Sequence, residues 1–307
     1  MFYCKALEKE FATKEELFSE LKRNENKILS LKKAQKYESA LKGQVSSVEA
    51  FLKPESATKA GLQTKSGFVY PVINTTRYMD AHDDVHFDGL WTKTLKEQEG
   101  KIYYVANHSL KIDDVIAWPE DVKAFVAKVD WRMVGKDYDG QTEALIFEIP
   151  EDKIQKESAL KAIKDRRKVQ GSVSMIYVKI MLGIDSNEKE YAPNKAFFDA
   201  HINEIANKEK VMEQGYFFGV TEARIYKEGS LVLAGSNDAT EMIYPDPMPD
   251  EPDGEDDDEM DDDEEKGCRR KPKKIEPPIG TQTEDNDPSK DSQSEIYEFL
   301  IKNLKSN

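Results

Sequence analysis

The sequence predicts an α+β fold: a mostly antiparallel, barrel-like sheet with helices around it, an N-terminal helix before it and a disordered acidic tail after it. Three observations predict this. Residues 67–73, 101–106, 144–149, 169–181 and 219–233 are rich in Val, Ile, Tyr and Phe, are bounded by turn residues and read as strands. Stretches with helical spacing, 119–128, 151–166 and 194–214, fall between them at irregular intervals, unlike the strict alternation of a parallel α/β fold. After residue 244 aromatic and β-branched residues become scarce, and fourteen carboxylates stand between residues 246 and 265 with no base among them.

Taken in order, residues 1–60 form a helical segment and linker. Thr13 and Glu16 make a capping box, and Leu17, Leu21, Ile28 and Leu31 recur at a 4-then-3 spacing with Asn24 completing the heptad. This predicts one helix over 13–36, either packed on the main domain or free to dock or oligomerise. Pro54 and Gly61 break the segment that follows, and 39–66 reads as a linker. Residues 61–244 carry the main domain. Pro119 suits the first turn of a helix over 119–128. Residues 245–293 form the disordered acidic connector, because like charges in a block repel and too little apolar surface is present to offset the entropy of ordering. At 294–307 an apolar pattern returns: Ile296, Leu300 and Leu304 recur at i, i+4 and i+8 behind a capping Ser294, a short amphipathic helix suited to a partner groove.

Composition narrows the function. The net charge of −15 resides almost wholly in the acidic run, so the rest of the chain is close to neutral. A nucleic-acid groove needs clustered Lys and Arg, and the one cluster, Arg269 to Lys274, directly follows the acidic run as its counterweight. Cys4 and Cys268 are too few and too far apart for a disulfide framework or a thiolate zinc site, which fits a reducing compartment. No apolar run approaches a membrane span. The expectation is a soluble intracellular protein with no cofactor and no nucleic-acid or membrane partner.

Two groups of residues carry candidate chemistry. His82 and His86 have the i, i+4 spacing of a zinc-binding helix, with Asp83 where that motif has Glu, but the Asp-rich, Gly-terminated context favours a loop. His108 ends the apolar strand 102–107, and Ser172 and Ser174 interrupt the apolar segment 169–181. A serine hydroxyl is a weak nucleophile until a neutral imidazole takes its proton and later returns it to the leaving amine, while a third group orients the ring.

At these residues the chain resembles the prohead proteases of tailed bacteriophages, whose fold is shared with herpesvirus assemblin. Asp80-Ala81-His82-Asp83-Asp84-Val85, then Gly89-Leu90-Trp91, is similar to the family's early Asp-x-x-x-Asp-Val and Gly-small-aromatic segment. Val105-Ala106-Asn107-His108 is similar to the strand that delivers the catalytic His, and Ile116 to the turn away from the site. Ser172-Val173-Ser174-Met175 resembles the Ser-aliphatic-Gly-Phe strand of the nucleophile, with Ser174 in place of Gly and Met175 in place of Phe. Glu228-Gly229-Ser230-Leu231-Val232 resembles the closing Glu-x-Ser-aliphatic-Val strand, and Gly235-Ser236-Asn237 its Pro-Ala-Asn turn. The likeness covers roughly residues 67–240, and the stretch between Met181 and Gly219 is longer than the family usually has.

The resemblance implies a serine endopeptidase with His108 as base, Ser172 as nucleophile and Glu228 as third member. Ser174 remains a second nucleophile candidate on the same strand face, with Glu222 and His201 behind Glu228. It implies work inside the immature prohead in the host cytoplasm on scaffold, major capsid protein and the protease itself, and leaves a homo-oligomer open. The alternatives are a protease-fold scaffold or capsid-assembly protein without activity, and a zinc hydrolase using His82 and His86.

Overall fold

The computed structural model describes residues 1–34 and 62–245, all within one unit, Met1–Glu251. The acidic run, the terminal helix and most of the linker expected from the sequence lie outside the described residues.

The N-terminal region opens with a two-stranded ribbon, β1 (Phe2–Cys4) and β2 (Lys9–Phe11), and continues as two helices, α1 (Lys14–Arg23) and α2 (Glu25–Ala34). Thr13 caps α1 by accepting from Glu16 N, and Glu16 reaches back to Ala12 N. The single helix expected here is divided at Asn24, whose side chain donates to the Glu20 carbonyl and so competes with continued helix. Leu17, Leu21 and Ile28 are buried and join the main core, as does Cys4 at the end of β1.

A five-stranded sheet carries the candidate site. Its order is β10 (Gln170–Ile184), β11 (Tyr216–Val232), β6 (Tyr103–Ala106), β7 (Val115–Ala117), with β5 (Asp84–His86) also on β11. β10 and β11 are antiparallel, whereas β5 and β6 run parallel to β11, so this sheet is mixed. A second sheet of four strands centres on β9 (Gln141–Pro150), with β8 (Lys123–Asp130) on one side and β3 (Phe68–Val69) and β4 (Val72–Thr75) on the other. No closed barrel forms: the expectation of a barrel-like sheet gives way to separate sheets around a shared core.

Because β9 is covered on both faces, it reads as a continuous apolar run and not as an alternation. Leu145, Phe147 and Ile149 face the core shared with the five-stranded sheet, while Ala144 and Ile146 meet a second cluster around Tyr70, Val129 and Trp131. The helix expected over 119–128 is a 3₁₀ turn, Pro119–Asp121, followed by β8. Phe125, Val126 and Val129 favour extended backbone, and β8 pairs with β9 through eight register positions, Lys123 to Asp130. Helix α3 (Thr92–Glu97) follows β5, and expected helix 151–166 narrows to α4 (Glu157–Lys164). Expected helix 194–214 divides into α5 (Ala192–His201) and α6 (Lys208–Gln214), which cover β5 and β11 through Phe197, Phe198 and Val211.

Candidate active site

The site forms where the end of β6 and the first residues of β10 flank β11. Ser172 on β10 stands opposite Ser230 on β11, and Ser230 is paired on its other side with Val105 of β6. Cross-strand partners share a face, so this register alone brings the three strands' side chains together. Two glycines let β4 and β9 of the second sheet lie close against β10 and β11 here. A Cβ on Gly171 would lie 1.8 Å from the Val72 carbonyl oxygen, and one on Gly229 would lie 2.6 Å from the Phe147 ring.

His108 follows β6 in a tight turn closed by Asn107 N to Leu231 O and Ser109 N to Ala106 O. Both Asn107 (φ 52°) and His108 (φ 56°) adopt left-handed backbone, which costs about 1–3 kcal/mol each for residues with a side chain. Such a conformation persists only where neighbours over-determine it. Here the His108 N–H donates to Ser230 Oγ at 2.8 Å.

Glu228 owes its position to a bulge. Between the pairs Val173–Gly229 and Met175–Ile225, one β10 residue, Ser174, faces three β11 residues, Tyr226, Lys227 and Glu228. Lys227 takes φ 66° to accommodate the extra chain. The buried Glu228 carboxylate then meets the imidazole: Oε1 is 2.9 Å from His108 Nδ1, and Oε2 accepts from Ser230 Oγ at 2.9 Å. On the far side of the ring, His108 Nε2 is 2.9 Å from Ser172 Oγ. Burial alone pushes the Glu228 carboxyl up, but hydrogen bonds from His108, Ser174 and Ser230 and the attraction of the imidazole outweigh it and hold the group below the usual carboxylate range.

The three residues named from the sequence are therefore hydrogen-bonded in one line. The two serines, expected on one face, occupy different ends of the ring. Ser172 is half-buried at Nε2, whereas Ser174 is 7% exposed, lies 3.3 Å from Nδ1 and also hydrogen-bonds Glu228. Glu222 pairs instead with Lys179 at 2.8 Å, and His201 packs between Phe87 and Phe197. Ser230 was visible in the sequence only as a motif residue. No sequence signal marks its double hydrogen bond, which depends on strand pairing.

His82 and His86 do not share a helix face. His82 sits in a turn whose backbone is held by Asp80 Oδ1, and His86 is on β5. Both His86 ring nitrogens are occupied, Nδ1 by Asn74 at 3.1 Å and Nε2 by Tyr177 OH at 3.3 Å. Among the described residues no group of three or more His, Cys, Asp or Glu is placed to hold a metal ion, and no helix is long and apolar enough to cross a membrane. A cavity of about 450 Å³ is lined by Lys14, Phe18, Asp185 and Tyr191 among others, and by none of the site residues.

Comparison with family models, with curated proteins and with solved structures finds no match to this chain.

Proposed function

We propose that the chain is a serine endopeptidase in which Ser172, His108 and Glu228 act as nucleophile, base and orienting acid. The observation that carries the reading is the hydrogen-bonded line Glu228–His108–Ser172, with 2.9 Å at each step, whose outer end is open to solvent while its inner end is buried. Glu228 keeps the proton of the neutral ring on Nδ1 and leaves Nε2 to accept from Ser172. As Ser172 Oγ attacks a peptide carbonyl, Nε2 takes the hydroxyl proton, and the charge formed on the imidazolium lies against Glu228. The same proton then passes to the leaving amine nitrogen as the C–N bond breaks. Water repeats the sequence on the acyl-serine and releases the acid.

Within that class, the order of the motifs around these residues favours a capsid-maturation protease of the prohead type. Its substrates are then scaffold and major capsid protein inside the immature prohead in the host cytoplasm, and also the chain itself. The test is the intact mass of the recombinant chain after incubation alone and with scaffold and capsid precursor. The parent is expected to yield discrete fragments and Ser172→Ala none. Equal fragmentation by both variants removes Ser172 from the chemistry, and no fragmentation of any partner by the parent leaves the inactive assembly protein as the better account.

A further inference from the structure

We propose that Ser230 is a positioning residue that locks both the backbone and the ring tautomer of His108, an inference that rests on the reading of this site as a serine hydrolase. The argument starts from the proton inventory of a hydroxyl, which has one hydrogen to donate and lone pairs to accept. A backbone N–H can only donate, so at the 2.8 Å contact with His108 N the Ser230 oxygen is the acceptor. Its single proton is then free for one partner. The partner in reach is Glu228 Oε2 at 2.9 Å, and Ser230 is completely buried, so no water competes for it.

The consequence runs around a closed ring. Oε2 accepts from Ser230, and because hydrogen bonds and the imidazole hold the Glu228 carboxyl below the usual carboxylate range it carries no proton, so Oε1 also accepts, from His108 Nδ1. That contact fixes the neutral imidazole as the Nδ1–H tautomer, and Nε2 is left as acceptor for Ser172. His108 N–H, Ser230, Glu228 and the His108 ring thus form one cycle whose donor and acceptor directions follow from two fixed elements, the backbone N–H at one end and the ionised Glu228 carboxylate at the other. The same cycle restrains His108 and Asn107 in left-handed backbone, where the following loop would otherwise be free to relax. Ser230 touches neither the Ser172 oxygen nor the exposed face of the ring in any hydrogen bond. Its influence passes through His108 and Glu228.

Ser174 hydrogen-bonds the same carboxylate, but from β10, and makes no contact with the His108 backbone N–H. It is the natural control. Removing Ser174 takes one donor from Glu228 and one neighbour at 3.3 Å from Nδ1 but leaves the cycle closed, whereas removing Ser230 opens it.

The experiment uses the full-length chain labelled with ¹⁵N-histidine, with the His108 ring signals assigned by their loss in His108→Gln. The parent is expected to show a single Nδ1–H tautomer with a slowly exchanging, strongly downfield proton. Ser230→Ala is expected to give mixed tautomers and a fast-exchanging proton while thermal melting still shows a cooperative fold, and Ser174→Ala to keep the single Nδ1–H tautomer, with its chemical shift displaced by the loss of a neighbour of Nδ1. Hydrolysis of a peptide is expected to fall on the order of 10- to 100-fold in kcat, with KM little changed, by analogy with the loss seen when the hydrogen-bond partner behind a metal-bound histidine is removed. Ser230→Cys, a near-isostere with a weaker donor, is expected to fall between and carries the test if the alanine variant does not fold. A parent-like Nδ1–H signal and parent-like kcat in Ser230→Ala or Ser230→Cys overturn the proposal. A parent that hydrolyses no peptide yet shows the tautomer lock and its loss in Ser230→Ala retains the positioning role and rejects the hydrolase reading, so the two failures are told apart.

Discussion

Two polar chains cross this protein, each with a histidine next to a hydroxyl and a carboxylate further along. One is Glu228–His108–Ser172. The other runs from Asn74 through His86 Nδ1 and Nε2 to Tyr177 OH, then at 2.8 Å to Asp84, and ends on Lys32 of α2 at 2.5 Å. Both place an imidazole between a hydroxyl and another polar group. They differ in where the ring faces and in what stands beyond it. The His108 side chain is 33% exposed and presents Nε2 to a half-buried aliphatic hydroxyl, whereas His86 is 1% exposed and meets a phenol that already donates to a carboxylate. The Tyr177 phenol is only partly buried, but its proton is committed to Asp84 and its pKa is raised, first by burial and then by Asp84 and Asp80. On the proposed reading, access and direction are what separate a histidine–hydroxyl contact that can do chemistry from one that serves as satisfied core polarity.

The largest expected effect separates the two chains outright. Ser172→Ala and His108→Ala should each abolish peptide cleavage, and the double variant should be no worse than either, because groups that act as a unit lose non-additively. Tyr177→Phe should leave the turnover of folded protein within a few-fold of the parent. Turnover assays on the four proteins check this, and a Tyr177→Phe variant as dead as Ser172→Ala would merge the two networks into one. Next in size, Glu228→Gln should lower kcat by roughly 10²–10⁴-fold without eliminating it, since an amide presents the wrong partner to Nδ1. A parent rate in that variant removes Glu228 from the line.

The second chain should answer in stability. Lys32 and Asp84 have side chains only 9% and 3% exposed, so Lys32→Met leaves a buried carboxylate without its cation. A loss of about 3–5 kcal/mol is expected in urea denaturation, with kcat of the folded fraction unchanged. The loss should exceed that of breaking the exposed Arg132–Asp137 pair, for which exposed ion pairs set a range of about 0–1 kcal/mol.

The smallest effect is a pH dependence with opposed signs. Burial holds His86 down to about 4, so between its ordinary value and 4 the unfolded chain binds a proton that the native state refuses, and stability falls as pH drops through that window. Burial, with Asp84 beside it, pushes Asp80 up to about 7, so in the native state it keeps a proton that the unfolded chain releases, and stability falls as pH rises from about 4 to 7. The two slopes oppose each other where the windows overlap. Asp80→Asn, which keeps the oxygen that accepts from His82 N and Asp84 N, should therefore make the acid-side loss steeper. His86→Gln should make it shallower. Denaturation midpoints from pH 4 to 7 check both, and identical profiles for all three proteins would show that neither group titrates as its burial requires.

Much of the site was legible because its residues lie in strands whose order along the chain is also the order of their motifs: His108 at the end of β6, Ser172 near the start of β10, Glu228 and Ser230 on β11. What could not be read was set by neighbours distant in sequence. A period of two puts Ser172 and Ser174 on one face, and only the bulge at Tyr226, Lys227 and Glu228 sends the carboxylate to the Ser174 end of the ring. The 119–128 segment reads as helical from Pro119 and its apolar spacing, yet β9 offered a complete ladder and the β-branched residues took it. The barrel expectation failed for a related reason: strand count and composition do not reveal that β9, with β3, β4 and β8, forms a sheet of its own. The His82–His86 spacing had no helix to act on.

The central claim is that Ser172, and not its neighbour two residues on, is the hydroxyl that His108 activates. The most direct measurement is treatment of the parent chain with a fluorophosphonate, followed by mass mapping of the adduct. A single adduct on the peptide containing Ser172, kept in Ser174→Ala and lost in His108→Ala, is the predicted result; an adduct on Ser174, or labelling of Ser172 that survives His108→Ala, would contradict the account.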